Sequence, residues 1–207
     1  ALSAGELKDV DFSYTEIGME KLKKDEPCLI LMNHSSFTDL NIAAKLFADR
    51  QYHIVCTNDG LVGKAGIMRW IGCVPTCKFI GDMRLIKDMK YCVDVLRSSV
   101  VMFPEASYSF DGTATPLPKS VGKLVRLLKV PVIMVRTQGA FLRDPLYNNL
   151  QKRSVKVTAT VEYLISENDL CTKSVDELNE ILQKAFDYDH FREQLELGII
   201  IDEPFRA

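Results

Sequence analysis

The 207-residue sequence lacks any apolar run that approaches the roughly 18 residues needed to cross a bilayer. Its longest such stretch, Cys28–Met32, has only the length of a strand. Glycine (11 residues) and proline (8 residues) are too scarce for a low-complexity linker. With 26% charged and 47% hydrophobic residues, the composition excludes disordered, collagen-like and coiled-coil chains. It predicts one globular domain, at most with a small appendage.

Metal-binding and disulfide patterns are also missing. The six cysteines are scattered. Three residues lie between Cys73 and Cys77, whereas two lie between the cysteines of C-x-x-C sites. We expect six reduced thiols packed as small apolar residues, in a reducing cytoplasm. The sequence contains no H-E-x-x-H, G-x-G-x-x-G or P-loop motif, so we expect no metal, no nucleotide cofactor and no nucleic-acid partner.

Charge is distributed unevenly along the chain, although the net charge is only −2. Residues 61–159 carry a net charge of +10, and the two ends together carry −12. A basic centre suits a phosphate-bearing substrate or an anionic membrane surface. An ordinary solvated charge distribution would look the same, so the pattern alone does not choose between them.

Apolar runs alternate with segments of helical period, which predicts an α/β domain with a largely parallel or mixed central sheet flanked by helices. The predicted strands are Val10–Ile17, Cys28–Met32, Tyr52–Cys56, Ser99–Phe103, Val130–Val135 and Ser154–Leu164. The predicted helices are Asp39–Phe47, Leu61–Ile71, Arg84–Arg97, Val121–Leu128 and Ser174–Phe186, the last opened by a Ser174/Glu177 capping box. We expect residues 1–165 to form the core and residues 166–207 an acidic helical appendage of the same domain.

Two polar clusters follow buried strands, where ligands of such sheets bind. Asn33 and His34 follow the first buried strand, and Asp39 comes five residues after the histidine. A carboxylate at that distance can hold one imidazole nitrogen as N–H and leave the other free to accept a proton. Glu105 follows the second buried strand, directly after Pro104. Without a partner cluster, each group would equally fit a local cap or an exposed loop.

Taken in order and spacing, these residues resemble the lysophosphatidic acid acyltransferase family, part of the wider glycerolipid acyltransferase group. The resemblance covers about residues 14–161. The family's N-H-x-x-x-x-D motif is matched in full by Asn33, His34 and Asp39. It implies that His34 is the general base, that Asp39 orients it, and that the fold is that of the glycerol-phosphate acyltransferases.

The other family motifs are only partly matched. The glycine-to-arginine motif ends here in Lys78, with Arg84 as a second candidate for the phosphate contact. The F-P-E-G motif reads F-P-E-A, so Ala106 stands where a glycine would permit positive φ, and Tyr108 stands where members often carry arginine. A V-P-x-x-P-like strand keeps only its first proline. The resemblance implies these substrate-binding residues: Asn33, Lys78, Arg84, Phe103, Pro104, Glu105, Ala106 and Ser107, with Glu105 holding the acceptor's glycerol hydroxyl.

The implied reaction moves a fatty acyl group from an acyl thioester, acyl-CoA or acyl-carrier protein, to the hydroxyl of a lysophospholipid. Lysophosphatidic acid is the first candidate acceptor, and no further cofactor is needed. Another lysolipid or amino-lipid acceptor, a transacylase using a phospholipid donor, and a silent lipid-binding member remain open. A serine hydrolase built on Ser35 or Ser36 is disfavoured, because the G-x-S-x-G elbow is absent.

Membrane access follows from a lipid substrate. The Leu61–Ile71 segment has the pattern of a basic amphipathic helix that could lie on lipid, although such a stripe is more often core, which we favour. We expect peripheral attachment at the cytoplasmic face, with an N-terminal anchor absent from this chain as a further contribution.

Overall fold

The computed structural model describes residues 7, 9–58, 63, 65–70, 72–77, 83–145 and 151–203. The strands are β1 (Phe12–Ile17), β2 (Leu29–Met32), β3 (Tyr52–Thr57), β4 (Cys73–Thr76), β5 (Ser99–Met102), β6 (Val132–Gln138) and β7 (Val157–Ile165). The helices are α1 (Thr38–Leu46), α2 (Ala65–Trp70), α3 (Met83–Asp94), α4 (Ser120–Leu128), α5 (Ala140–Arg143), α6 (Glu167–Thr172), α7 (Val175–Ala185) and α8 (His190–Glu196), besides a 3₁₀ turn at Met19–Lys21.

The strands of the described chain form one sheet in the order β1-β7-β6-β2-β5-β3-β4. Neighbours run parallel except for β6 and β7, which are antiparallel. The predicted α/β fold with a largely parallel, mixed sheet is therefore confirmed. The order also places β2 between β5 and β6, so the carboxyl ends of these three strands meet at one edge.

Burial of β2 explains why its sequence is continuously apolar. Leu29 and Leu31 face one hydrophobic cluster, formed with residues of α3, α4 and α7. Ile30 and Met32 face a second cluster on the opposite side, which includes Ile42 of α1. Burying each such side chain stabilises the fold by about 1.5–3 kcal/mol. A strand covered on both faces has no polar side to show, which is typical of parallel sheets.

The chain beyond β7 packs on the same core. Ser166 and Ser174 each begin a helix with a complete capping box, so the box predicted at Ser174 and Glu177 is confirmed. Leu178, Leu182 and Phe186 are buried in the cluster that contains Leu29. The division of the chain at residue 165 stays a prediction.

Some elements differ from those the sequence predicts. β4, α5, α6 and α8 were not anticipated, because each is short and lacks a sustained period. The helix predicted over Arg84–Arg97 ends at Asp94, and Arg97 adopts a left-handed φ of 52° that no helix can continue. The strand predicted from Ser154 begins at Val157.

Two packing expectations are wrong in part. All six cysteines are free, but Cys77 and Cys171 are exposed rather than packed as apolar residues. Within the predicted Leu61–Ile71 helix, the structure describes α2, where Trp70 is 85% exposed and so is not core. Positions 61, 62, 64 and 71, and the side chains of 67 and 69, lie outside the described residues.

Candidate active site

The two polar clusters come together because β2 and β5 are hydrogen-bonded neighbours. Leu31 is in register with Met102, so both strands end side by side. His34 and Glu105 then follow at the same edge, and the backbone N–H of His34 donates to Glu105 Oε2 at 3.1 Å. The expectation that both clusters lie beyond the carboxyl ends of the strands agrees with this arrangement.

His34 and Asp39 form a base–orienter pair. His34 Nδ1 lies 3.1 Å from Asp39 Oδ2, and the carboxylate is fully buried. The same oxygen accepts hydrogen bonds from the backbone N–H groups of Ser35 (2.8 Å) and Ser36 (3.0 Å), just before α1 begins. Because three donors converge on it, Asp39 is fixed in place. An Nδ1–H tautomer of His34 donating to Asp39 leaves Nε2 as the basic nitrogen.

The imidazole of His34 lies between two aromatic rings. The ring centroid of Phe103 is 4.0 Å away and that of Tyr108 is 3.7 Å away, with interplanar angles of 25° and 28°. The imidazole is therefore held between two aromatic faces. Burial, followed by the nearby Asp39, raises the pKa of Tyr108 to about 12, so its phenol stays protonated at neutral pH.

Asn33 is fully buried, and its amide is engaged by β6. Its Oδ1 accepts hydrogen bonds from the backbone N–H of Thr137 at 2.8 Å and from the Thr137 hydroxyl at 3.2 Å, and its Nδ2 donates to the Thr137 carbonyl at 3.1 Å. The sequence predicts a substrate contact for Asn33. The geometry instead suits a residue that connects the loop between β2 and α1, which carries His34, to the neighbouring strand β6 through hydrogen bonds.

Glu105 is 5% exposed and accepts three hydrogen bonds. Besides the His34 amide on Oε2, Oε1 accepts from the Thr115 backbone N–H at 3.2 Å and from the Tyr188 hydroxyl at 2.8 Å. Desolvation by burial raises the pKa of Glu105, and the three donors oppose that rise. The resemblance assigns this carboxylate to the acceptor's hydroxyl, but protein donors already use both oxygens.

The residues around Glu105 form a tight turn. Pro104 is buried, and the backbone N–H of Ala106 donates to the Phe103 carbonyl at 3.1 Å. Ala106 has a φ of 58°, in the left-handed region where the family's glycine would be unstrained. Ser107 is exposed, and its hydroxyl donates to the Glu105 carbonyl at 3.4 Å.

A cavity of about 350 Å³ opens beside His34. Its wall is mostly apolar and is built by strands β3, β4 and β5, helices α1, α2 and α3, and the turn after β5. The lining side chains include Leu40, Ile54, Val55, Met68, Leu85, Met102, Phe103 and Tyr108. Glu105 and Tyr188 are not among the described residues that line this cavity. A basic imidazole at the side of an apolar cavity can act on the polar end of an apolar molecule held there.

A second buried carboxylate contacts the loop between β2 and α1. Asp144, which directly follows α5, accepts hydrogen bonds from the Ser36 hydroxyl and, at 3.1 Å, from the Thr38 hydroxyl. Burial raises the pKa of Asp144, while these two hydroxyls oppose the rise. The loop between β2 and α1 is thus held by two buried carboxylates, Asp39 through the loop's backbone N–H groups and Asp144 through the Ser36 hydroxyl.

The predicted phosphate contacts are placed less completely. Lys78 lies outside the described residues. Arg84 is exposed in the first turn of α3, next to Leu85 of the cavity wall. Within the described ranges, no group of three His, Cys, Asp or Glu side chains is placed to hold a metal ion.

Four residues that contact the site were not found from the sequence: Thr115, Thr137, Asp144 and Tyr188. Each lies in a part of the chain that no local pattern connects to the His34 motif. Tyr108 was noted only as a departure from arginine, and its stacking on His34 is not visible in the sequence.

Comparison with known proteins defines the class. A profile of the acyltransferase family matches residues 14–138, more than half of the chain, so the chain belongs to the acyltransferase family. It is 28% identical over 141 residues to a chloroplastic 1-acyl-sn-glycerol-3-phosphate acyltransferase of Brassica napus. That match takes in 62% of this chain but 38% of the relative's length.

A solved structure supports the fold. The 1-acyl-sn-glycerophosphate acyltransferase PlsC of Thermotoga maritima superposes with a TM-score of 0.65 at 19% identity. The superposition covers 92% of this chain and 74% of that one. The resemblance read from the His34 and Glu105 motifs is therefore confirmed at the level of family and fold.

Proposed function

We propose that this protein transfers an acyl group from an acyl thioester to the free hydroxyl of a lysophospholipid, with lysophosphatidic acid as the first candidate acceptor. The observation that carries the proposal is the His34–Asp39 pair at the wall of an apolar cavity. The names of the Brassica and Thermotoga relatives favour the same acceptor.

In the proposed mechanism, Nε2 of His34 takes the proton of the acceptor hydroxyl, and the oxygen attacks the thioester carbonyl. The tetrahedral intermediate collapses, the thiolate leaves, and the imidazolium returns the proton to it. General-base assistance of this kind is typically worth roughly 10²–10⁴ in rate. Asp39 keeps the ring oriented and stabilises the imidazolium, and the rings of Phe103 and Tyr108 do the same from both faces.

The apolar cavity suits a fatty acyl chain. Its lining side chains come from six different elements, so its shape is set by the packed domain rather than by one loop. Lys78 and Arg84 are the proposed contacts of the acceptor phosphate, and the basic central part of the chain supports an anionic head group. Acyl-CoA and acyl-carrier protein are both proposed as donors.

Membrane contact is part of the same proposal. No helix in the described residues is long and apolar enough to span a bilayer. Exposed apolar side chains do lie on, or directly before, the helices that build the cavity wall: Phe37, Leu40, Trp70 and Met83. We propose that this face rests on the cytoplasmic surface of a membrane, where lipid substrates enter the cavity.

The deciding experiment measures free-thiol release from acyl-CoA and acyl-carrier protein across a panel of lysolipids. Acceptor-dependent release is expected for the wild type and loss of at least about 10²-fold for His34→Ala. His53→Ala is the matched control, because His53 lies in β3 and its Nδ1 contacts Ser98 rather than the site. Release without acceptor would indicate a thioesterase, and lipid binding without turnover would indicate a silent member.

A further inference from the structure

Tyr188 connects the C-terminal part of the chain to the candidate active site. It lies between α7 and α8, beyond the residues matched by the family profile. Its side chain is 4% exposed, and its hydroxyl donates to Glu105 Oε1 at 2.8 Å. Burial and the adjacent Glu105 raise the pKa of Tyr188 far above its ordinary value, so the group acts as a hydrogen-bond donor at every working pH.

The backbone around Tyr188 fixes that hydroxyl in place. The Tyr188 carbonyl accepts a hydrogen bond from the Ala114 N–H at 2.9 Å, and the His190 N–H donates to the Gly112 carbonyl at 2.8 Å. Thr113 and Asp189 form an antiparallel bridge between these two bonds. The Tyr188–His190 segment is therefore paired with the loop that follows Glu105. This pairing fixes the position from which the tyrosine hydroxyl reaches the carboxylate.

Glu105 connects Tyr188 to the loop that carries His34, because its two oxygens accept hydrogen bonds from both. Oε1 accepts hydrogen bonds from the Tyr188 hydroxyl and the Thr115 backbone N–H, while Oε2 accepts one from the backbone N–H of His34. We propose that Tyr188 is a positioning residue: by donating to Oε1, it holds the Glu105 carboxyl group in the orientation in which Oε2 accepts the His34 N–H, and so fixes the backbone of His34. This inference rests on the proposed function only in so far as His34 is the base.

The physical argument concerns the charge of Glu105. A buried carboxylate stays ionised only while donors replace its lost hydration, and each such charge-assisted bond is stronger than a neutral one. The titratable groups in contact with Glu105 are Tyr188 and His34, and Asp39 also acts on Tyr188. Without the tyrosine hydroxyl, Glu105 takes up a proton at higher pH and holds the His34 amide less firmly.

The test is Tyr188→Phe, which keeps the ring and its packing against His190 but removes the donor. We expect kcat to fall about tenfold with the KM of donor and acceptor unchanged, because Tyr188 does not line the cavity. The acid limb of the kcat profile is expected to move to higher pH. Tyr91→Phe is the matched control, since Tyr91 is exposed on α3 and should change neither quantity.

Amide hydrogen exchange separates this inference from the proposed function. Faster exchange of the His34 amide in Tyr188→Phe than in wild type or Tyr91→Phe is expected whether or not a substrate has been found. If the wild type turns over no substrate pair, the proposed function fails while the exchange still tests the contact. Unchanged exchange overturns the inference, and so does a kcat loss without movement of the acid limb, which would show a merely structural role.

Discussion

The Tyr108 ring stacks on the His34 imidazole with 3.7 Å between ring centroids. The interplanar angle of 28° brings the tyrosine face against the face of the imidazole. The ring also closes one side of the cavity and contacts Phe37 at its rim. Tyr108 therefore connects the imidazole to the wall of the apolar cavity.

The stacked ring leads to a kinetic prediction. Tyr108→Leu is expected to lower kcat about three- to tenfold, because one face of the imidazolium loses its aromatic contact. Tyr108→Phe is expected to stay close to wild type, since the face is retained and only the hydroxyl is lost. Steady-state kinetics on the best acceptor decide the matter, and equal kcat values for the leucine and phenylalanine variants would refute the stacking argument.

Ala106 predicts a stabilising substitution. Its φ of 58° costs an L-residue about 1–2 kcal/mol that glycine avoids, while glycine's greater freedom in the unfolded chain offsets part of the gain. We expect Ala106→Gly to raise the free energy of unfolding by about 0.5–1 kcal/mol. Urea denaturation measures it.

The control for this prediction makes the same chemical change in a helix. Ala44 lies within α1, where glycine is unfavourable by about 1 kcal/mol, so Ala44→Gly should destabilise the protein. Opposite signs at the two alanines support the conformational argument. A destabilising Ala106→Gly would show that the methyl group contributes packing that outweighs the strain.

The local parts of the site could be predicted from the sequence because their partners are close along the chain. Asp39 follows His34 by five residues, and the end of each apolar run shows where the strand stops and the polar cluster begins. Tyr188 and Glu105 are separated by 83 residues, and Ser36 and Asp144 by 108. Contacts at such separations depend on how the strands are ordered in the sheet, which periodicity does not specify.

The fold shows the same limit. The apolar runs of β2, β5 and β6 predicted a parallel core, but the antiparallel pairing of β6 with β7 has no local signature. Glu105 illustrates it at one residue: its position was predicted, whereas its use as an acceptor for His34, Thr115 and Tyr188 required the neighbours to be known.

Asp144 predicts a pH dependence of stability. Burial raises the pKa of its carboxyl above the ordinary 3.8, so the folded state favours the protonated form. Its destabilising effect is absent below pH 3.8 and grows as pH rises through the raised folded pKa. Relative to Asp144→Asn, the wild type should therefore lose stability as the pH rises from 3.8 through the raised folded pKa.

Urea unfolding of both proteins at several pH values tests this prediction. The asparagine keeps an oxygen that can accept from Ser36 or Thr38, so the comparison isolates the charge. Asp187→Asn, two residues after α7 ends at Ala185, changes one acidic group outside this cluster and serves as the control. A stability difference between wild type and Asp144→Asn that does not vary with pH would contradict the assignment.

Trp70 predicts membrane binding through the face around the cavity. It is 85% exposed on α2, the helix whose Met68 lines the cavity, and an indole at a lipid interface keeps its apolar body out of water. Trp70→Gln should therefore weaken sedimentation with vesicles of phosphatidylglycerol and phosphatidylcholine several-fold. Leu195→Gln is the control, because Leu195 is 82% exposed on α8, which contributes no residue to the cavity wall. If both variants lose binding equally, or neither does, the membrane does not approach through this face.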